Sequence, residues 1–395
     1  MPVFNRSSLA SKIADLERRH DNDWPLWAGP CGEGQLGGIT QSMIVRFLSC
    51  RERFRLRYVL GLEPHDRWNH RLGYGNMWHV CEEELAKYHE PNNANEPVWY
   101  NALLRHSQDQ TNKYPLQHDD ILKWMHVCMV QFPEYVKYWG EHPDVLNRTP
   151  LMQEQVFDVP YTLPSGRTVR LRGKFDSVDL IEAHRDWQGR EWPTGIYLQE
   201  NKTKSDIDQL QVERQLKFDL QTMLYLVALR LDLHYKTQLQ SFPPVLGVRY
   251  NVVRRPLSGG RGNISPHKEK ATKTKFTPAE TADEFYERLR RDYLADDPGY
   301  WFFRVRSEVS SQNIQVFLKT CLEPLLETIC DWYNRCCPNQ CDHRSETDNS
   351  GISYRTPFGV YSTLEESGST EYDAFLESGS ESGLRRTEQL FTELQ

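Results

Sequence analysis

The sequence predicts an α/β protein with a mixed central sheet flanked by helices, with helical additions in front of and behind that core. Two observations carry this prediction. Up to about residue 150 the apolar residues recur with a helical period, whereas the alternation typical of strands begins at Met152. From there on, strand patterns and helical patterns take turns, which is the order expected for a sheet covered by helices.

Helical patterns dominate the first part of the chain. Four stretches have the helical period: LASKIADLERRH, TQSMIVRFLSCRERFRLRYVLGL, YGNMWHVCEEELAKYH and DDILKWMHVCMVQFPEYVKYW. The first two are separated by WAGPCGEGQLGG, whose glycines and proline interrupt the period. We therefore expect a helical N-terminal segment.

Strand patterns begin with a hairpin. MQEQVFDVPYTL and RTVRLRGKFDSVDLI are joined by a Pro-Ser-Gly turn, and apolar residues alternate with basic ones in the second strand. A polar loop leads to the strand IYLQENKTK, a long helix over residues 206–233 and the strand VLGVRYNVV. The sequence then predicts a helix over residues 279–294, the strand YWFFRVR and a long helix from Ser311 to about Tyr333.

The composition is that of an ordinary soluble protein with enough apolar residues for a large core. The 395 residues are 38% hydrophobic and 12% aromatic, as expected for one large or two moderate domains. No stretch approaches the ~20 apolar residues of a membrane helix, and the start of the chain lacks the apolar core of a secretory signal. The nine cysteines have no regular spacing, which agrees with a reducing compartment. We expect an intracellular, cytoplasmic protein.

A carboxylate and an ammonium stand two residues apart at the polar end of the strand IYLQENKTK. Successive side chains of a strand point to opposite faces, so Glu200 and Lys202 emerge on one side and Asn201 on the other. Any contribution of Asn201 to a site on the first side then comes from its main-chain carbonyl. Replacement of Asn201 by Val is accordingly expected to be nearly silent.

Asp176 is the second carboxylate of this candidate site. The apolar residues of its strand stand at odd positions up to Phe175 and at even positions from Val178 onward. A bulge at this change could turn Asp176 outward. If its strand neighbours that of Glu200, the two carboxylates converge into the hard oxygen donors that suit Mg²⁺ or Mn²⁺. Lys202 could then position a water and neutralise charge on a phosphate, which suits phosphodiester hydrolysis. The alternative is an exposed Glu–Lys pair on a solvated strand face.

The helix that follows carries a polar stripe beside an apolar one. Gln221 and Tyr225 are four residues apart, and Arg214 and Lys217 continue the same stripe. The alternative is an ordinary amphipathic helix whose polar face is exposed to solvent. Gln and Tyr in so apolar a stretch as TMLYLVALRL favour a role in the site.

Together these motifs resemble the RecB-like clade of PD-(D/E)XK nucleases. The matching stretches are GKFDSVDL, QENKTK and the Gln-x-x-x-Tyr pair, in that order. GYGNMWHVCEEEL resembles the clade's helix with a glycine and a metal-binding histidine, and LSCRERFRLRYVLGL resembles its entry segment. The resemblance covers roughly residues 40 to 255 and parts of the helix after Ser311.

The resemblance implies a restriction-endonuclease-like core and a divalent metal, Mg²⁺ or Mn²⁺. It implies that His79, Asp176 and Glu200 bind this metal together with the main-chain carbonyl of Asn201. It also implies that Lys202 is the catalytic lysine.

In the same clade Gln221 and Tyr225 would orient the DNA strand or the active-site carboxylates. The chain departs from the clade at two places. Arg51 stands where a proline usually follows the cysteine, and the loop between the two carboxylates is longer than is common. These departures concern clade membership more than catalysis.

Some members of the clade hold a four-iron cluster on one cysteine of the entry segment and three near the C-terminus. The candidate ligands here are Cys50, Cys330, Cys336 and Cys341. CDWYNRCCPNQCDH lacks the clade's spacing, and the adjacent Cys336 and Cys337 project in different directions. We therefore expect free thiols and no iron-sulfur cluster. A zinc site that includes His343 is a further alternative.

A basic segment, RRPLSGGRGNISPHKEKATKTK, covers residues 254–275 and contains a single acidic residue. A loop of this kind can follow a phosphate backbone, although a solvated loop without a ligand is an equal alternative. The candidate DNA-binding residues are Arg214, Lys217, Arg254, Arg255, Lys273 and Lys275. The net charge of -7 excludes wholesale coating of nucleic acid but permits a local basic groove.

The chain divides into three parts on these patterns. Residues 1–150 form a helical N-terminal segment with the entry motif and the histidine, residues 151–335 form the nuclease core with flanking helices, and residues 336–395 form an irregular, acidic tail. The tail cannot bury much core. It could bind a partner or compete with DNA for the basic groove.

The predicted function is metal-dependent hydrolysis of DNA phosphodiesters by an exonuclease connected with recombination, repair or phage DNA replication. This pathway follows from the resemblance alone. The alternatives are a non-catalytic DNA-binding or scaffolding descendant and a structure-specific endonuclease. DNA is the expected partner, a helicase or recombination protein could be a second one, and no membrane is expected.

Overall fold

The computed structural model describes most of the chain between residues 38 and 335. The described residues are 38–49, 51–54, 57–58, 62–64, 67–87, 98–187, 189–216, 219–237, 243–257, 264–271, 276–335, 384–386 and 394. The helix predicted near the start of the chain and most of the acidic tail lie outside them. Within the described ranges no helix is long and apolar enough to cross a bilayer.

Helices precede and follow the central sheet, as the sequence predicts. They are α1 (Gln41–Ser49), α2 (Arg51–Phe54), α3 (His70–Lys87), α4 (Val98–Lys113), α5 (His118–Trp139), α6 (Pro143–Leu146), α7 (Gln209–Leu216), α8 (Leu220–Thr237), α9 (Ala282–Leu289), α10 (Pro298–Trp301), α11 (Ser311–Phe317) and α12 (Glu323–Arg335). Short 3-10 or π-helical segments lie at Pro115–Gln117, Arg290–Leu294 and Leu318–Leu322.

The central sheet is mixed, which confirms the predicted fold class. The strands are β1 (Leu62–Pro64), β2 (Arg148–Thr162), β3 (Thr168–Ile181), β4 (His184–Arg185), β5 (Glu191–Trp192), β6 (Gly195–Lys204), β7 (Val245–Arg254), β8 (Lys270–Ala271), β9 (Phe276–Thr277), β10 (Phe302–Glu308) and β11 (Leu384–Arg386). Five of them form the sheet in the order β10-β7-β6-β3-β2. The neighbours β6 and β7 are parallel and the other pairs of this sheet are antiparallel. The parallel pair needs a crossover, which α7 and α8 supply.

A tight turn joins β2 to β3 and fixes which of their residues face each other. The N–H of Leu163 donates to the carbonyl of Arg167 at 2.7 Å, and Thr162 pairs with Thr168. Gly166 has a φ of 87°, a conformation that glycine adopts without steric cost. The Pro-Ser-Gly turn of the sequence is therefore the hairpin turn of the structure.

The sheet carries a hydrophobic core on each face. The main core lies against α1, α8, α11 and α12 and includes the buried residues Leu171, Phe175 and Leu198. The helical core lies against α3, α4, α5 and α9 and includes Trp78 and Phe132. Burial of a Leu or Phe side chain contributes about 1.5–3 kcal/mol, so each face holds its helices firmly. The side chains of a strand alternate between the two faces of the sheet, and a core covers each face. Residues of β6 and β7 are therefore buried on both sides.

The chain after β6 forms two helices, and the single long helix predicted over residues 206–233 is wrong. The helix α7 ends at Leu216 and α8 begins at Leu220. Oδ2 of Asp219 accepts hydrogen bonds from the N–H and the hydroxyl of Thr222, at 2.9 and 3.0 Å. An aspartate that satisfies a free amide in this way starts a new helix.

The later helices also differ from the predicted ones in detail. The helix predicted over residues 279–294 starts after Thr281, whose hydroxyl and Glu284 form a reciprocal capping box, and continues as a π-helical turn to Leu294. The helix predicted from Ser311 is interrupted by a second π-helical segment and ends at Arg335.

Candidate active site

The strands β3 and β6 separate where the two predicted carboxylates lie. Their ladder ends at the pair Ser177–Gln199, and Asp176 and Glu200 are the next residues on each side. A side chain continues the contact beyond that pair, because the N–H of Asn201 donates a 2.8 Å hydrogen bond to Oδ2 of Asp176. The condition for their convergence, that the two strands are neighbours in the sheet, is met.

The core residues of β3 change parity between Phe175 and Val178, as the sequence predicts, but the register shift of the hairpin lies on β2 between Pro150 and Met152 and not at Asp176. Phe175 and Val178 both pack into the main core although they are three residues apart. On β2, Glu154 stands opposite Asp176 and has a φ of 45°. Such a conformation costs a non-glycine residue about 1–3 kcal/mol, and it recurs at functional sites.

Beyond the point where β3 and β6 separate, a segment from the N-terminal part of the chain pairs with the edge of β3 that β6 leaves open. The N–H of Ile39 donates to the carbonyl of Arg170 at 2.7 Å, and its carbonyl accepts from the N–H of Arg172 at 2.9 Å. A cleft of about 610 Å³ opens beside this edge. Its lining includes His79, Glu154, Lys174, Asp176 and Tyr225.

Helix α3 brings His79 to the two carboxylates of the hairpin. Nδ1 of His79 lies 3.2 Å from Oε1 of Glu154 and 3.7 Å from Oδ1 of Asp176. One ligand atom from each of the three residues lies within 4.8 Å of the others. Such a group can hold one cation through a ring nitrogen and two carboxylate oxygens.

The electrostatics of this group favour a positive charge. Burial alone lowers the pKa of His79, but the charge of Asp176 and the hydrogen bond to Glu154 outweigh it and raise that pKa to about 9. The pKa of Glu154 is lowered because its contacts with His79 and with Lys174, whose Nζ lies 2.6 Å away, outweigh the effect of burial. Both carboxylates therefore attract a cation at this position.

Glu154 is the member of this group that the sequence reasoning missed. A signal was available in the hairpin turn, because a turn fixes the register of both strands. Counting back from the pair Thr162–Thr168 places Glu154 opposite Asp176. The candidate site therefore has a further carboxylate, on the hairpin strand β2.

Glu200 is buried next to this group, with one carboxylate oxygen engaged and the other free. The residue is 1% exposed. Its Oε1 accepts hydrogen bonds from Nζ of Lys202 and from Nε2 of Gln221, the latter at 2.7 Å. Its Oε2 is buried without a hydrogen-bond partner among the described residues. Burial and the charge of Asp176 raise the pKa of Glu200 to about 7.

On α8, Gln221 contacts the catalytic candidates of β6, and Tyr225 reaches the cleft. Nζ of Lys202 donates to Oε1 of Gln221 at 3.2 Å. Tyr225 packs edge-on against the rings of Phe157 and Phe175, with centroids 5.3 and 5.9 Å away, and lines the cleft. The two residues that the sequence places on one helix face therefore lie at the site together.

The side chain of Asn201 points to the opposite face of the sheet, as predicted, and it accepts hydrogen bonds there. It is 3% exposed, and its Oδ1 accepts hydrogen bonds from Gln199 at 3.1 Å and Asn251 at 3.0 Å. Removal of this acceptor would deprive two buried amide donors of a partner, and a buried donor left unsatisfied costs about 1–3 kcal/mol. The expectation of a nearly silent Asn201→Val variant is therefore revised to a destabilising one.

Two of the arginines proposed to bind DNA are buried. Arg254 is 5% exposed, lies 4.0 Å from the ring of Tyr300 and pairs with Asp206 at 2.5 Å. Arg255 is 6% exposed and donates to the carbonyl of Arg71 at 3.4 Å. Both guanidinium groups are used inside the protein, which corrects the expectation that they follow a phosphate backbone.

The other basic candidates are placed differently. Arg214 is exposed on α7. Lys217, Lys273 and Lys275 lie outside the described residues. Contact of these four residues with DNA stays a prediction.

The cysteine candidates for a cluster are largely outside the described residues. Cys50, Cys336 and Cys341 are not among them, nor is Cys337. Cys330 is fully buried in the main core, and burial raises the pKa of its thiol to about 12. A thiol in such surroundings is a packing residue. The expected absence of an iron-sulfur cluster stays a prediction.

Comparison with known proteins agrees with this arrangement of residues. No curated protein matches the sequence significantly. The sequence matches the family model of the PD-(D/E)XK nuclease superfamily over residues 39–321, which is more than half of the chain and includes every residue of the site described above. The chain therefore belongs to the PD-(D/E)XK nuclease superfamily.

Proposed function

We propose that this protein is a Mg²⁺- or Mn²⁺-dependent deoxyribonuclease that hydrolyses phosphodiester bonds in DNA. One observation carries the proposal: Oε2 of Glu200 is buried without a partner among the described residues, and Glu200 interacts electrostatically with Asp176 and His79 of the three-residue group. A buried carboxylate oxygen without a partner is costly. A divalent cation would satisfy it and the carboxylates of the group at once.

The residues that would hold the ion differ in kind from those that would act on the substrate. His79, Glu154, Asp176 and Glu200 would be its side-chain ligands, and the main-chain carbonyl of Asn201 is proposed as a further one. A bound ion of this type lowers the pKa of a water molecule and polarises a phosphate oxygen. The hard oxygen donors that dominate the set favour Mg²⁺ or Mn²⁺.

Lys202 is proposed to act as a fixed positive charge. Its ammonium is held between Glu200 and Gln221, so it does not need to reorganise when substrate binds. Although burial lowers the pKa of Lys202, the charges of Glu200 and Asp176 outweigh it and keep that pKa above its ordinary value. Lys202 is thus protonated at neutral pH, which suits stabilisation of the negative charge that grows on the phosphate.

Gln221 and Tyr225 are proposed to orient the reacting groups. Gln221 bonds both Glu200 and Lys202, so it fixes their separation. Tyr225 presents its ring to the cleft beside Asp176. A displacement of about 1 Å in such groups can cost on the order of a hundredfold in rate.

Exonucleolytic cleavage is the finer part of the proposal, and it rests on the resemblance to the RecB-like clade. A role in recombination, repair or phage DNA replication, with a helicase or recombination protein as partner, has the same basis. The cytoplasm of a prokaryotic cell or a phage-infected host is the proposed location.

The test uses purified protein with Mg²⁺ or Mn²⁺ on end-labelled linear DNA and on covalently closed circular DNA, with Asp176→Asn as the inactive control. We expect metal-dependent release of label from the linear DNA and no cleavage of the circle. Cleavage of the circle would indicate an endonuclease. DNA binding without cleavage of either substrate would indicate a non-catalytic descendant.

A further inference from the structure

A layer of buried polar side chains lies beneath the site, between the sheet and the helical core. Its members come from neighbouring strands and from the helices that cover them. They include Glu82, Tyr135, Gln199, Asn201, Asn251 and Arg304. Polar groups this deep are expensive unless every one of them is paired, so the layer specifies how the surrounding elements fit together.

Asn251, on β7, is the hub of this layer and is fully buried. Its Nδ2 lies 3.0 Å from Oδ1 of Asn201, 2.7 Å from the hydroxyl of Tyr135 and 3.4 Å from Oε1 of Glu82. Its own Oδ1 lies 3.5 Å from Nη2 of Arg304. One amide thus joins β6, α5, α3 and β10.

Two of these contacts lead directly to the elements that carry the proposed metal ligands. Glu82 lies three residues after His79 on α3, about one helical turn away. Asn201 lies next to Glu200 on β6, and its N–H donates to Asp176. His79 in turn lies 3.7 Å from Asp176. The contacts form a closed ring that passes through α3, β3, β6 and β7.

We infer that Asn251 is a positioning residue of the active site, which holds the helix of His79 and the strand of Glu200 at the separation that cation binding requires. The inference rests on the proposed function. Asn251 itself faces away from the cleft and would touch neither the ion nor the DNA. It acts through Asn201 on one side and Glu82 on the other.

The physical basis is preorganisation. Without the amide of Asn251, Oδ1 of Asn201 keeps only its bond from Gln199, and Glu82 loses a link to the sheet. The helix α3 and the strand β6 can then shift relative to each other. Groups that orient metal ligands without contacting the metal themselves typically change the metal affinity 10–100-fold when they are removed.

The test compares the affinity for Mn²⁺, measured by calorimetry, with the melting temperature in Asn251→Ala, Asn251→Ser and the control Leu289→Ala. Leu289 is fully buried in the helical core on α9 and is not a member of the ring of contacts described above. Asn251→Ser is the gentler change and keeps a hydroxyl if truncation to Ala prevents folding. We expect Leu289→Ala to lower the melting temperature without changing the affinity. Both Asn251 variants are expected to weaken Mn²⁺ binding by about tenfold or more.

A double variant sharpens the result. Because Asn201 and Asn251 act as one unit, Asn201→Ala combined with Asn251→Ala should weaken Mn²⁺ binding no further than the worse single variant. Asn251 variants that bind Mn²⁺ as tightly as the wild type would overturn the inference and leave the proposed function intact. Wild-type protein that binds no Mn²⁺ would overturn the proposed function and the inference with it.

Discussion

At the scale of single residues, the candidate cation site is a place where negative charges are held together against their mutual repulsion. Glu154 and Asp176 both lie beside His79, and the backbone of Glu154 has a strained, positive φ of 45°. Strain of this kind persists only where the surrounding structure enforces it. Glu154 and Lys202 therefore lend themselves to separate tests of binding and catalysis.

Glu154→Gln is expected to weaken Mn²⁺ binding by at least about tenfold, since a unit charge about 4 Å away is worth up to about 4 kcal/mol near a protein surface. Glu83→Gln is the matched control, because Glu83 lines the same cleft but lies outside the three-residue group. The measurement is calorimetric titration of both variants. Equal weakening in both would show a general effect of charge, with no ligand role for Glu154.

Lys202→Met is expected to separate metal binding from chemistry. The variant removes the ammonium but no proposed ligand, so Mn²⁺ binding should persist or tighten. Hydrolysis should slow by about 100–1000-fold, as for the loss of one preorganised electrostatic contact in other enzymes. Single-turnover cleavage at saturating Mn²⁺ measures this rate. Wild-type rates in Lys202→Met would contradict the assigned role.

At the scale of elements, the site is assembled by the fork between β3 and β6 and by the start of α8. Asp219 begins α8 by capping it, and Gln221, the second residue of the helix, bonds Glu200 and Lys202. The cap and the site residue are thus two positions apart on one element but serve different purposes.

Gln221→Ala and Asp219→Ala are expected to show opposite effects. Gln221→Ala should reduce turnover on the order of tenfold to a hundredfold with little change in melting temperature, because it disturbs positioning. Asp219→Ala should lower the free energy of unfolding by about 0.5–2 kcal/mol through loss of the cap, with a smaller effect on turnover. Steady-state cleavage and thermal melting of both variants give the comparison. A Gln221→Ala variant with full activity and a large drop in melting temperature would point to simple packing.

The elements that the sequence predicts well are those with a local cause. The hairpin, the parity change after Phe175 and the shared face of Glu200 and Lys202 follow from alternation and from one turn. The break at Asp219 also had a local signal, an aspartate three residues before a threonine, but the strong apolar period on either side obscured it. The burial of Arg254 and of the Asn201 side chain could not be predicted, since it depends on helices far away in sequence.

At the scale of the whole molecule, the polar layer joins the helical core to the sheet through buried ion pairs. Asp144 is central to this contact, because Arg304 donates to its carboxylate at 3.0 Å and Arg249 donates to its carbonyl at 3.1 Å. Burial would raise the pKa of Asp144, but the charges of Arg304 and Arg249 outweigh it and hold that pKa well below the ordinary value of 3.8.

The stability of the protein is therefore expected to fall in acid. A carboxylate whose pKa is depressed in the folded state stabilises it above the ordinary pKa, and this stabilisation is lost as the pH falls below about 4 towards the folded-state pKa. Denaturant unfolding from pH 7 down to pH 2.5 measures the effect. Asp144→Asn should be less stable at pH 7 and should show a flatter loss below pH 4. An unchanged slope in Asp144→Asn would assign the acid sensitivity to other groups.

The central claim is that a divalent cation held by His79, Glu154, Asp176 and Glu200 drives hydrolysis of DNA. The most direct test is the release of labelled nucleotides from linear DNA as a function of Mn²⁺ concentration, for the wild type and for Glu200→Gln. Glu200→Gln has nearly the same shape but lacks the charge, so its fold, checked by circular dichroism, should be unchanged. We predict saturable, Mn²⁺-dependent release by the wild type and none above background by Glu200→Gln. Release by Glu200→Gln at the wild-type rate, or release by the wild type that does not depend on the metal, would contradict the claim.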